Sequence, residues 1–100
     1  MIKHIVIFKL TPPYTPEDKE ASIKKLYELF EPLGRKLGFT SEYRVGININ
    51  EAEYAGDLVI DSLFASPEDL TRYQSSREHQ VAVATGSTIR KTKIVVDYLV

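Results

Sequence analysis

The chain has 100 residues, with 13 lysines and arginines against 14 aspartates and glutamates, a net charge of -1 and no cysteine. That length supports one domain, spanning 1–100, around a single core, and interspersed charge of nearly equal sign gives no field to draw the protein to nucleic acid or an anionic membrane. The absence of cysteine excludes disulfides, thiolate nucleophiles and zinc–thiolate sites.

Residues 2–10 (IKHIVIFKL) are rich in β-branched side chains and run into Thr11-Pro12-Pro13, where proline removes a ladder donor; they are read as a first strand. Thr15 ahead of Pro16, Glu17 and Asp18 supplies a capping hydroxyl, a proline for the first turn and acids at the positive end of a helix dipole. Ile23, Leu26, Tyr27, Phe30 and Leu33 then recur at helical spacing until Pro32 and Gly34 weaken the ladder, so a helix is expected from 16 to about 31. Tyr43, Val45, Ile47 and Ile49 alternate with Glu42, Arg44, Gly46 and Asn48 as a second strand, and Asn50 to Gly56 reads as a connection. Asp57 to Ala65 resumes strand character before Ser66-Pro67-Glu68-Asp69 opens another helix by the same capping logic. From Leu70 to Arg90 the pattern is helical but interrupted at Ser75-Ser76 and Gly86-Ser87, which predicts two short helices, and Lys93 to Val100 closes the chain as a fourth strand.

The order β-α-β-β-α-β predicts an α+β, ferredoxin-like fold with an antiparallel four-stranded sheet and its helices on one face. Both faces of that sheet are apolar. Ile2, Val6, Phe8 and Leu10 oppose Ile5 and Ile7 in the first strand; Leu58, Ile60 and Phe64 oppose Val59 and Leu63 in the third; Ile94, Val96 and Tyr98 oppose Val95 and Leu99 in the fourth. Short helices cover only one face, and each aliphatic side chain left in water forgoes roughly 1.5 to 3 kcal/mol of burial. A homodimer packed through the outer sheet face is the expected remedy.

His4 and His79 are the only histidines, and with no cysteine present they are the side chains whose ordinary titration lies near neutral pH. His4 shares the parity of Val6 and Phe8, so it points between sheet and helices and requires a hydrogen-bond partner. His79, in Arg77-Glu78-His79-Gln80, reads either as a solvated helical residue or as a site group. Tyr73 precedes it by six residues, roughly 600 degrees of helical rotation, so the two side chains meet only if the helix breaks, as Ser75-Ser76 permits. Asp57, Asp61, Asp69 and Asp97 are scattered, Gly34 and Gly38 lack the lysine and hydroxyl of a phosphate loop, and no serine has a glycine-flanked elbow. No metal and no cofactor are expected. The longest apolar run, Ile5 to Phe8, is too short for a membrane span or signal core, which leaves the cytoplasm as the expected location.

The opening MIKHIVIFK, the segment LFASPEDLTRYQ, the following His79 and the terminal VVDY together resemble the Dabb family of stress-responsive A/B barrel domains, in matching order across essentially the whole chain. The resemblance implies a ferredoxin-like monomer whose sheet packs on a second copy as a dimeric α+β barrel. That family includes plant stress-associated proteins, bacterial proteins without known activity, and a polyketide cyclase that closes a ring by aldol condensation in a pocket between sheet and helices. By similarity to the cyclase, His79 would act as general base beside a carbonyl, Tyr73 would stabilise the oxygen and His4 would line the pocket. Two departures stand out: Ser76-Arg77 replaces a His-Pro pair ahead of the matching histidine, and Leu58 lies near the position of a further pocket histidine.

Three functions are therefore expected as rivals. The first is a dimer whose cavity takes a small apolar or aromatic ligand, with His-dependent proton transfer on a carbonyl compound. The second is a non-catalytic stress or assembly protein with structural histidines and a filled cavity. The third is a cofactor-independent oxygenase or isomerase, for which the absence of tryptophan leaves no support.

Overall fold

The computed structural model describes residues 1–10, 14–90 and 92–100; the Thr11-Pro12-Pro13 stop assigned to the first strand lies outside them. Along the described chain run β1 (Ile2–Lys9), α1 (Pro16–Phe30), α2 (Leu33–Leu37), β2 (Glu42–Ile47), β3 (Leu58–Phe64), α3 (Pro67–Ser75), α4 (Arg77–Gly86) and β4 (Thr92–Leu99). The four strands form one antiparallel sheet in the order β2-β3-β1-β4, the ferredoxin-like arrangement. Both capping predictions are visible as hydrogen bonds. The Asp18 amide donates to Thr15 Oγ1 at 3.1 Å, and the Asp69 amide to Ser66 Oγ at 3.2 Å.

Two segments depart from the sequence reading. The chain does not leave helical structure for good near residue 31. Pro32 caps the short α2, because a ring without an N–H is tolerated at a helix start, and Gly38, with a φ of 67°, ends it in the left-handed region that suits glycine. The second strand stops at Ile47, and Ile49 is almost fully exposed. Here Asn48 Oδ1 accepts from the Asn50 amide at 2.9 Å and Asn50 Oδ1 from the Ala52 amide at 2.9 Å, and these side-chain bonds draw the backbone out of the ladder.

Val6, Phe8, Leu58, Ile60 and Phe64 face the helices and bury against Leu26 and Phe30 of α1, Tyr73 of α3 and Ala82 of α4. Gly86 permits the close approach of α4, since a Cβ there would stand 3.2 Å from Phe30 Cε2. The layer of helices stops short of β4, every residue of which is exposed. Register resolves its two faces. Val95 lies opposite Val6 on the helix side, while Ile94 and Val96 lie opposite Ile7 and Ile5 on the outer side. Ile94 and Val96 remain about half exposed, at 51% and 49%, beside Ile5, Ile7, Val59 and Leu63. At one end of this apolar outer face Lys3 Nζ meets Asp61 Oδ1 at 2.7 Å.

The contact of α2 with β2 gives a quantitative expectation. A Cβ on Gly34 would fall 2.7 Å from Tyr43 Cβ, and Tyr43 cannot retreat because its hydroxyl donates to the Phe30 carbonyl at 2.7 Å. Alanine gains about 1 kcal/mol of helix propensity over glycine, but a forced clash costs about 1–3 kcal/mol. Gly34→Ala should therefore lower stability by up to about 2 kcal/mol, read as a lower urea midpoint, whereas propensity alone would raise it.

Candidate active site

The site begins where the first strand meets the last. His4 on β1 lies opposite Asp97 on β4, and its Nδ1 contacts Asp97 Oδ1. The ring is buried, 3% exposed, and stands edge-on to Phe64 and Tyr73 at centroid distances of 6.2 and 6.4 Å. Ser62, also buried, donates its hydroxyl to the His4 carbonyl at 3.1 Å and ties this point of β1 to β3. The partner that the sequence required for His4 is thus a carboxylate at the far end of the chain.

Tyr73 and His79 are brought together by a break at Ser76. This residue is extended, with ψ 147°, and serves as the C-cap of α3 and the N-cap of α4. Its hydroxyl donates to the Tyr73 carbonyl at 2.8 Å and accepts the His79 amide at 3.2 Å, so one side chain joins the two segments. The rings then pack 4.5 Å apart. His79 Nδ1 lies 3.1 Å from the Gln74 carbonyl. A carbonyl only accepts, so Nδ1 carries the proton and the neutral ring leaves Nε2 as its acceptor. Burial lowers the His79 pKa below its ordinary value, the Gln74 carbonyl opposes that shift, and the charges of Lys93 and His4 add to it.

The Tyr73 hydroxyl is turned to another task. It lies 3.3 Å from the Tyr43 hydroxyl, whose own proton goes to the Phe30 carbonyl. Tyr73 therefore donates to Tyr43, away from the imidazole. Burial raises the pKa of both phenols, that of Tyr43 more strongly.

His4, Tyr73 and His79 line one cavity of about 50 Å³ between sheet and helices, closed by Phe8, Val83 and Val95. Lys93, which sequence reading missed, lines it too. Burial lowers the pKa of this amine, and the charge of Arg90 lowers it further. Its parity with Val95 was the available signal. The aspartates weighed as ligands lie apart: Asp57 accepts the Leu10 amide at 2.7 Å, Asp61 meets Lys3, Asp69 meets Arg72, and Asp97 holds His4. Among the described residues no helix is long and apolar enough to cross a membrane.

The model of the stress-responsive A/B barrel domain (Dabb) matches residues 2–100. A dimeric protein of unknown function with a ferredoxin-like fold from Bacteroides fragilis is 29% identical and superposes with a TM-score of 0.85, covering 97% of this chain and 93% of its own. A Dabb family protein with a ferredoxin-like fold from Mesorhizobium loti, 16% identical, gives a TM-score of 0.66 over 98% of this chain and 94% of that one. A hydroxynitrile lyase from Passiflora edulis, 14% identical, gives 0.78 over 99% and 92%. No curated protein matches the sequence.

The lowered His79 pKa has a thermodynamic consequence. The unfolded histidine ionises near 6.5 and the folded one only at lower pH, so the unfolded state binds more protons across that interval. Stability should be full above about pH 6.5 and should fall as pH drops toward the folded value. His79→Gln should remove this part of the slope, measured as denaturation midpoints across the interval. NMR titration of wild type should place the His79 midpoint below that of a free histidine.

Proposed function

The chain belongs to the stress-responsive A/B barrel (Dabb) family, and from that premise we propose a homodimer in which each subunit holds a compact carbonyl compound between sheet and helices, with His79 as general base. One observation carries the reading: the Gln74 carbonyl fixes the proton of His79 on Nδ1, so that a half-buried, neutral imidazole lining the cavity keeps Nε2 for the substrate. In the step, a C–H bond next to the carbonyl breaks, Nε2 takes the proton and the electron pair moves onto the carbonyl oxygen as an enolate. Tyr73 is a positioning residue, because its ring packs on the imidazole while its hydroxyl is committed to Tyr43. His4, held through Nδ1 by Asp97, meets the enolate oxygen in its imidazolium form, in which Nε2–H donates to that oxygen; its second proton is taken from solvent before the C–H bond breaks, and the Asp97 carboxylate balances the charge.

Size limits the substrate. A cavity of about 50 Å³ has room for a few waters, against the ~300–1,000 Å³ of drug-sized ligand pockets. A compound of a few heavy atoms fits the reading and an extended polyketide does not. The same small volume favours a second reading, a non-catalytic subunit with structural histidines. Exchange of the α-protons of acetone and diacetyl into D2O separates the two. The base reading expects wild type to exceed buffer, His79→Gln to lose about 10²-fold or more, and Tyr73→Phe to stay close to wild type. Exchange no faster than buffer would leave the non-catalytic reading.

The dimer rests on the outer face, where Ile94 and Val96 each have roughly 1 kcal/mol to gain from covering the half of their surface still exposed. The Bacteroides fragilis protein, dimeric and of this fold, supports the same assembly. Val96→Asp would place a charge on that face. Sedimentation should give a dimer for wild type and a monomer for the variant; a monomeric wild type at micromolar concentration would sink the assembly.

A further inference from the structure

Beside the cavity, where β4 leaves α4, two cations stand close together without a carboxylate. Lys93 lines the cavity and lies opposite Phe8 on β1. Arg90 sits over the same Phe8 ring, its guanidinium carbon 5.3 Å from the ring centre, and its Nε is buried without a hydrogen-bond partner among the described residues. Neither makes an ion pair among the described residues. Asp97, on the same side of β4 as Lys93, is already taken by His4. Burial first, and then the charge of Arg90, holds the Lys93 amine below its ordinary range, and the charge of Lys93 in turn works against protonation of His79. Positive groups converge here, and an orphaned donor stands among them. Leaving a buried guanidinium nitrogen unpaired costs free energy that an anionic acceptor would recover.

We propose that Lys93 and Arg90 form the seat of a carboxylate, so that the compound whose carbonyl reaches His79 is a small oxo acid. This rests on the general-base reading above and adds the substrate class to it. The geometry divides the ligand in two. The cavity, with room for a few heavy atoms, takes the carbonyl end between His79 and His4, and the carboxylate lies toward β4 against Lys93 of the lining and Arg90, which stands outside that lining over the ring of Phe8. A neutral carbonyl compound of equal size leaves both cations unpaired, which is how polar sites reject analogues lacking the matching group.

Pyruvate and diacetyl have equal numbers of heavy atoms and differ in one carboxylate, so their binding, followed by NMR titration of the full-length protein, isolates the charge. Pyruvate should bind at least about tenfold more tightly than diacetyl, and Lys93→Gln and Arg90→Gln should each remove about tenfold of that affinity while Lys93→Arg retains most of it. Equal binding of the two compounds overturns the assignment, as does a Lys93→Gln variant that binds pyruvate like wild type. Displacement of pyruvate by an equal concentration of inorganic phosphate also overturns it, since the seat would then read charge without the oxo acid. In any of those cases His79-dependent exchange of diacetyl would leave the general-base reading standing. Charge-selective pyruvate binding without exchange would support the seat and remove the base.

Discussion

The pairing of the first strand with the last is the contact on which the site depends. β1 is bonded on both sides, to β3 and to β4, and the β1–β4 ladder sets His4 opposite Asp97, Val6 opposite Val95 and Phe8 opposite Lys93. Because side chains alternate strictly along a strand, a slip of one residue would send Asp97, Val95 and Lys93 to the outer face together. Closing so long a loop carries an entropic cost that grows only slowly with length. The apolar contacts of β1 with α1 and β3 must hold the central strand for β4 to dock upon.

The break at Ser76 gives the complementary constraint from the helical layer. A continuous helix from Pro67 to Gly86 would carry Tyr73 and His79 on different faces, whereas the extended Ser76 turns the second segment back over the first. A hydroxyl that both donates and accepts fixes that turn without a glycine or an interior proline. Where the family resemblance leads one to expect a His-Pro pair, Ser76 supplies the cap of both helices at once.

The parts of this arrangement encoded in short windows were legible in the sequence. Strand alternation placed His4 on the helix side, the two Ser/Thr-Pro-Glu-Asp openings located α1 and α3, and Ser75-Ser76 marked the interruption. What was not legible depends on long-range pairing. Asp97 became the partner of His4 through strand register, and Tyr43 captured the Tyr73 hydroxyl across 30 residues of chain. Lys93 reads as an ordinary surface lysine until β4 is laid beside β1. The α2 turn and the early end of β2 were missed for a local reason: Pro32 opened a helix as well as closing one, and the Asn48 and Asn50 side chains outcompeted the ladder.

β4 is also a sheet edge, and every side chain along it is exposed. Its Ile94-Val95-Val96 run combines high β propensity with no charge, the composition that templates edge-to-edge growth when an unpaired strand meets another. Lys93 and Asp97 flank that run immediately on either side. Charges bordering an apolar edge run are the arrangement that limits such growth, and here they are the cavity lysine and the partner of His4. Replacing either residue would therefore change the charge that borders this edge as well as the surroundings of His4 or of the cavity.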